Sequence, residues 1–179
     1  MNRRDALRSL ASTAAALAAS RTWIHVRAEQ GWTPAVLTPA QDAEVVALTE
    51  AIIPATETPG AKAALVNRFV DQALAGAGAA QRDAFLQGLA WVTARCQAEF
   101  GQTFAAATPE QQVSLLTRID DDGTIAAAEQ PGADFFRTIK GMTISGYYST
   151  EIGLRQELGD DGRMVLAQFE GCTHPEHQG

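Results

Sequence analysis

One acidic stretch of the chain, residues 118–129, has most of the ligand spacing of a helix–loop–helix calcium loop. Calcium takes roughly six to eight oxygen ligands, and the first position of such a loop normally supplies a carboxylate. Here the first position is Arg118, whose fixed positive charge would repel the ion. We therefore expect an acidic, solvated loop rather than a calcium site. The later loop positions are occupied by Asp120, Asp122, Gly123, Ile125 and Glu129.

The two cysteines, Cys96 and Cys172, could form a disulfide if the chain is exported. The bond would close a loop of about 76 residues and stabilise the fold by roughly 4 kcal/mol in the chain-entropy model. Alternatively, Cys96 packs as a small hydrophobic group, because it lies on the apolar side of a predicted helix. His174 and His177 follow Cys172, but a zinc site needs a fourth ligand and a fixed frame. An irregular tail is the simpler expectation.

Redox cofactor motifs are missing from the sequence. It contains no Cys-x-x-Cys-His haem motif and no cysteine set for an iron–sulfur cluster. It also lacks the G-x-G-x-x-G motif of dinucleotide-binding proteins. We therefore predict no catalytic, cofactor-binding or metal-binding residue in this chain.

Composition and charge argue against several classes of function. The 179 residues are 46% hydrophobic and carry a net charge of −7, which suits one domain with an ordinary core. No basic run follows the first few residues, so we expect no binding to nucleic-acid phosphates. No apolar stretch reaches the length of about 20 residues that a membrane-spanning helix needs.

The first 28 residues have the pattern of an export signal. Arg3 and Arg4 precede LASTAAALAAS, and a basic start before a weakly apolar run is typical of a secretory signal. The adjacent arginines resemble a twin-arginine signal, which implies a periplasmic protein. An ordinary amphipathic N-terminal helix is the alternative. Of two possible cleavage positions, Ala18 and Ala28, we prefer Ala28.

Residues 29–179 are predicted to form one all-α domain. Apolar residues recur at helical spacing, and no long alternating run of β-branched residues predicts a strand. The segments 38–41 and 108–111 read Thr-Pro-Ala-Gln and Thr-Pro-Glu-Gln, and each predicts a capping box with proline at the first helical position. We expect a compact bundle of about five to six helices with an irregular C-terminal tail.

The stretch 135–159, FFRTIKGMTISGYYSTEIGLRQELG, contains two aromatic pairs and glycines within a helical pattern. Since glycine costs roughly 1 kcal/mol against alanine in a helix, Gly141 and Gly146 indicate close approach by another backbone or a ligand. Consecutive helical side chains point about 100° apart, so one ring of each pair can face the core and the other a partner. Alternatively, all four rings belong to the core. The predicted partner interface comprises Phe135, Phe136, Tyr147, Tyr148, Glu151, Arg155 and Glu157.

Three blocks of the chain resemble known sequences: residues 37–61 (LTPAQDAEVVALTEAIIPATETPGA), residues 98–116 (AEFGQTFAAATPEQQVSLL) and the stretch 135–159. The most specific part is GYYSTEIG at 146–153, whose usual form has Thr-Ser in place of Ser-Thr. In this order the blocks resemble the gluconate 2-dehydrogenase subunit 3 family.

That resemblance implies a small subunit, non-catalytic alone, that accompanies a large flavin-dependent oxidoreductase of the glucose-methanol-choline type. FAD would be held by the large subunit, and a separate cytochrome c would take the electrons. The complex would oxidise a sugar, a sugar acid or a glycoside. Because the twin-arginine route exports folded proteins, the small subunit would help to stabilise and co-export its partner. Two alternatives remain. The chain could also line the substrate entrance with Tyr147, Tyr148 or Glu151, or it could be a free-standing periplasmic binding or calcium-sensing module.

Overall fold

The computed structural model describes residues 31–120 and 125–161. These residues form a compact, all-helical bundle without a strand, which confirms the predicted fold class. The described elements are α1 (Pro39–Ile52), α2 (Val66–Gly76), α3 (Ala79–Phe100), a 3₁₀ turn (Phe104–Ala106), α4 (Pro109–Ile119), α5 (Gln130–Tyr147) and a π-helix (Ile152–Glu157).

The chain divides into two units, Met1–Pro34 and Ala35–Gly179. Of the first unit, residues 31–34 alone are described, and the second unit holds all the helices above. The predicted export signal with Arg3 and Arg4 lies outside the described residues, as does the C-terminal tail from residue 162. The boundary after residue 28 therefore stays a prediction.

Both predicted capping boxes are confirmed. At the start of α1, the Thr38 hydroxyl accepts from the Gln41 N–H at 3.3 Å, and Gln41 Oε1 accepts from the Thr38 N–H at 2.9 Å. Thr108 and Gln111 repeat this arrangement at the start of α4. Each pair satisfies N–H groups that the first helical turn leaves without partners, so these two sequence signals fix where α1 and α4 begin.

Helix α5 is the centre of the bundle, because it contacts all four other α-helices. It packs tightly against α3, where a Cβ added to Gly88 would lie 2.4 Å from the Cβ of Phe135. The rings of Phe85 and Phe135 pack edge to face there, with their centroids 5.1 Å apart. The glycine therefore lets a large aromatic residue of α5 lie directly against α3.

A buried carboxylate on α2, that of Asp71, holds the segment that leads into α1. It accepts hydrogen bonds from the N–H groups of Ala35, Val36 and Leu37 at 2.7, 3.0 and 2.9 Å. Burial by itself would raise the pKa of Asp71, but these three donors stabilise the charged form and lower it. The ionised carboxylate thus ties the start of the second unit to α2.

Candidate functional site

The loop that follows α1 is folded around one carboxylate, that of Glu50. This side chain accepts from the N–H of Ala55 at 3.1 Å and from the N–H of Lys62 at 2.7 Å. Gly60 lies so close that an added Cβ would be 2.6 Å from Glu50 Oε1. The loop therefore has a defined shape that presents its residues 56–59 to the end of α5.

Two contacts join this loop to the C-terminal end of α5 and to the π-helix that follows it. The Tyr147 hydroxyl donates to the carbonyl oxygen of Pro59 at 2.8 Å. The Thr58 hydroxyl donates to the carboxylate of Glu157 in the π-helix. The first and third of the resembling sequence blocks, 37–61 and 135–159, thus meet at one place on the bundle.

Most of the aromatic residues predicted to form a partner interface are buried within this domain. Tyr147 is 1% exposed, and Phe135 and Phe136 are buried as well. Tyr148 is half-buried, with its ring edge on to that of Tyr147 at a centroid distance of 5.2 Å. The expected division of each pair is thus seen for the tyrosines and is wrong for the phenylalanines. Because α5 is covered by helices on several sides, adjacent rings both find core contacts.

The polar residues of the predicted interface, in contrast, are exposed: Glu151, Arg155 and Glu157 all lie at the surface. Tyr148 directly follows α5, and its N–H donates to the carbonyl oxygen of Ile144 at 3.1 Å, so the two lie on the same side of the helix end. Ile144 is also exposed. We call these residues the α5-end surface, which comprises Ile144, Tyr148, Glu151, Arg155 and Glu157. Whether it binds a partner stays a prediction.

Three glycines near this surface differ in the space that an added Cβ would have. A Cβ on Gly146 would lie 2.8 Å from the Phe69 ring of α2, so a side chain, and not the predicted backbone or ligand, makes the close approach there. Apart from its own helix backbone, no atom of the described residues lies within 4 Å of a Cβ on Gly141, so none of them makes the approach predicted there. A Cβ on Gly153 would lie 2.2 Å from the carbonyl oxygen of Tyr147. Sequence reasoning missed that Gly153 lets the π-helix pack back onto α5.

Two acidic residues of the stretch 118–129, Asp120 and Glu129, take part in ion pairs. Glu129, which is 8% exposed, lies 2.9 Å from Arg118 Nε and is also paired with Arg95. Asp120 lies 2.7 Å from Lys140 Nζ. The expectation of a solvated loop is wrong at Glu129, which bridges α3, α4 and the start of α5. Asp122 and Gly123 lie outside the described residues, and no metal-binding group of three or more ligands occurs among those described.

Cys96 lies fully within the core. Burial raises the pKa of its thiol to about 11, and the negative charges of Glu44 and Glu99 act in the same direction. Such a thiol is inert, because the reactive form is the thiolate. Cys172 lies outside the described residues, so the disulfide stays a prediction.

Glu44 on α1 is a buried acid that sequence reasoning missed. It is 6% exposed, and its Oε2 has no hydrogen-bond partner among the described residues. Burial raises the pKa of Glu44, while the backbone N–H groups of Ala105 and Phe104 and the Thr103 side chain lower it less. No local signal marks this position, because its burial comes from the distant 3₁₀ turn.

In the described part of the chain, no helix has both the length and the apolar content to cross a membrane. A family model described as gluconate 2-dehydrogenase subunit 3 matches residues 39–161. That range contains all five α-helices, the π-helix and the α5-end surface. Neither the curated proteins nor the solved structures gave a match. Since the family model covers well over half of the sequence, the chain belongs to the gluconate 2-dehydrogenase subunit 3 family.

Proposed function

We propose that this chain is the small accessory subunit that binds, stabilises and co-exports a large FAD-dependent dehydrogenase of the glucose-methanol-choline type. The observation that carries the proposal is family membership over residues 39–161, because the family is a subunit of a dehydrogenase complex. In this proposal, the large subunit holds the flavin and oxidises a sugar, a sugar acid or a glycoside. A cytochrome c subunit takes the electrons, and the complex is periplasmic.

The α5-end surface is the first contact that we propose for the large subunit. Protein interfaces favour aromatic residues and arginine at their centres, and this surface offers Tyr148 and Arg155. The Tyr148 ring is already held against Tyr147, so binding would cost less side-chain entropy than for a freely rotating ring. These features support a preformed anchor at the end of α5.

The exposed charges of the same surface favour a second role, which is a contribution to the substrate entrance. Arg155 lies 3.4 Å from Glu151, and both side chains are mostly exposed, so this ion pair is weak. A weak pair can open and offer a carboxylate and a guanidinium to sugar hydroxyl groups. We therefore keep a contribution to the substrate entrance as the second candidate. The free-standing calcium-sensing module has less support, because Glu129 and Asp120 already pair with cationic side chains.

The proposal is tested by expressing the large subunit with and without this chain and measuring active flavoprotein in the periplasm. We expect activity to fall at least tenfold without the small subunit, because the large subunit would lack its stabilising and exporting partner. Equal periplasmic activity in both cultures would contradict the proposal. Replacing Arg3 and Arg4 with lysine in the co-expressed chain separates the two roles. The complex should then accumulate in the cytoplasm, and active periplasmic enzyme would disprove the export role alone.

The second candidate is tested in the assembled complex with Glu151→Gln. If the surface lines the substrate entrance, KM for the sugar should rise several-fold while the amount of complex stays unchanged. An unchanged KM in an intact complex would exclude a substrate contact through this carboxylate.

A further inference from the structure

An apolar groove of about 690 Å³ lies between α2, α3 and α5. Its volume falls within the range of roughly 300–1,000 Å³ that is common for binding pockets. Phe85 and Phe135 form part of its lining, and three alanines line it where larger side chains would fill the space: Ala73, Ala77 and Ala84. Small residues on two helices therefore keep this space open.

One wall of the groove is held in place by close packing. A Cβ added to Gly132 would lie 2.2 Å from the ring of Trp91, so that ring lies directly on the backbone of α5. The guanidinium of Arg95 lies 5.6 Å from the centre of the Trp91 ring and holds it from another side. The groove is thus preformed, which lowers the entropic cost of binding.

The apolar surface continues along α2 beyond the groove. Phe69 is 36% exposed and lies one turn before Ala73. Leu65, the residue just before α2, is 43% exposed. On α5, Gly146 contacts Phe69 and lies one turn after Met142, which lines the groove. Phe69 and the groove therefore form one continuous surface.

Leu65 adopts a backbone conformation that is costly for its side chain. Its φ of 57° is the one positive value at a non-glycine residue in the described part of the chain. Such strain, of order 1–3 kcal/mol, tends to occur at functional sites. At Leu65 it accompanies a large apolar side chain in contact with solvent.

The length and the charge of this surface indicate what kind of molecule could bind to it. Helix α2, the 11 residues Val66–Gly76, extends about 16 Å at 1.5 Å per residue, which equals roughly three turns. Among the described residues that line the groove, Asp134 is the one charged side chain. Its carboxylate already accepts from Arg137 at 3.1 Å and from Gln130 at 3.0 Å. The groove thus has a buried apolar floor and an exposed polar rim of Gln81, Gln87, Asp134 and Thr138, which fits an amphipathic helix better than an ion or a free sugar.

We propose that this groove receives the apolar face of an amphipathic helix from the large dehydrogenase subunit. Binding of a helix in a groove uses anchors at i, i+3 or i+4 and i+7, which match the length of this surface. The inference rests on the proposed function, since the family membership provides the partner subunit. The contact between Phe69 and Gly146 also joins the groove to the C-terminal half of α5, which carries part of the α5-end surface.

Charge placed in the groove tests the proposal by co-purification with the large subunit. Ala73→Glu and Ala84→Glu introduce a carboxylate at exposed alanines that line it. Ala75→Glu and Ala90→Glu are matched controls at exposed alanines of the same helices that do not line it. We expect the two groove variants to retain less than a tenth of the large subunit, and the controls to retain all of it. All four should melt like the wild type.

The outcomes separate this inference from the proposed function. If the unsubstituted chain captures no large subunit, the proposed function fails. If the groove variants capture it as well as their controls do, the groove inference alone is overturned.

A crosslinking measurement on the assembled complex does not depend on the stability of a charged variant. A photoreactive p-benzoylphenylalanine is placed at position 84 in one chain and at position 90 in another. We expect a crosslink to the large subunit from position 84 and none from position 90. A crosslink from position 84 to a second copy of this chain or to its own residues 162–179 would overturn the inference, as would no crosslink.

Discussion

Tyr147 donates its hydroxyl hydrogen bond to the carbonyl oxygen of Pro59 at 2.8 Å, although the two residues are 88 positions apart in the chain. Tyr147 is fully buried, and Pro59 lies in the loop that Glu50 folds. This bond therefore fixes the loop after α1 relative to the end of α5. The bond thereby joins the sequence blocks 37–61 and 135–159.

Replacing Tyr147 with phenylalanine should destabilise the fold modestly. The ring still fills its space, but the carbonyl of Pro59 loses its donor, so we expect a loss of about 1 kcal/mol in the free energy of unfolding. Tyr147→Ala should cost roughly 3–5 kcal/mol, because it also leaves a cavity. Urea unfolding of the isolated subunit measures both. Equal losses for the two variants would show that the hydroxyl, rather than the ring, supplies the stability.

Replacing Tyr148 with alanine should release the partner while the subunit stays folded. The ring is half-buried at the α5-end surface, and truncating an aromatic interface anchor can cost about 2 kcal/mol or more in binding. We expect at least a tenfold loss of co-purified large subunit, with little change in melting temperature. Tyr148→Phe is the matched control and should retain the partner. If Tyr148→Ala loses the partner only with a much lower melting temperature, Tyr148 is a core residue and not an anchor.

Replacing Asp71 with asparagine should weaken the fold in a pH-dependent way. Because the three N–H donors lower the folded-state pKa below the ordinary 3.8, the carboxylate stabilises the fold above that pH. This stabilisation is lost as the pH falls through the folded-state pKa. We expect Asp71→Asn to lose roughly 1–3 kcal/mol at pH 7 and less in strong acid. Urea unfolding across pH checks this, with the exposed Asp83→Asn as a control. A loss that does not change with pH would contradict it.

Replacing Glu44 with glutamine should have the opposite pH dependence. Burial raises the folded-state pKa of Glu44 above the ordinary 4.5. As the pH rises from the unfolded-state pKa toward the folded-state pKa, ionisation of Glu44 therefore increasingly disfavours the fold. The variant should therefore gain stability over the wild type at pH 8, and this gain should vanish near pH 4. Thermal melting at both pH values, with the exposed Glu57→Gln as a control, measures the difference. A variant less stable than the wild type at pH 8 would contradict this, and would show that the hydrogen-bond donors around the 3₁₀ turn outweigh burial.

Local sequence signals predicted the fold class and the starts of α1 and α4. The capping boxes at Thr38 and Thr108 were readable because their partners lie three positions away in the sequence. Burial of Glu129 was not readable, because Arg95 lies 34 positions earlier in the chain. The hydrogen bond of Glu157 in the α5-end surface likewise comes from Thr58, which lies 99 positions earlier. Long-range pairs of this kind follow from packing, which periodicity does not encode.

The predicted partner interface also shows that helical spacing does not reveal long-range packing. Helical spacing correctly separated Tyr147 from Tyr148, because one side of α5 is exposed at its C-terminal end. The same rule failed for Phe135 and Phe136, because several helices cover the middle of α5. The groove was not predicted at all, since its alanines carry no distinctive pattern in the sequence.

The central claim, that this chain is the accessory subunit of a flavoprotein dehydrogenase, is tested most directly by one purification. The tagged chain is isolated from the periplasm, and the absorption spectrum and subunit masses of the product are recorded. We predict a large subunit in stoichiometric amount with a flavin spectrum, and a colourless, inactive small subunit after the two are separated. A tagged chain that purifies alone, or one that itself carries stoichiometric flavin, would contradict the account.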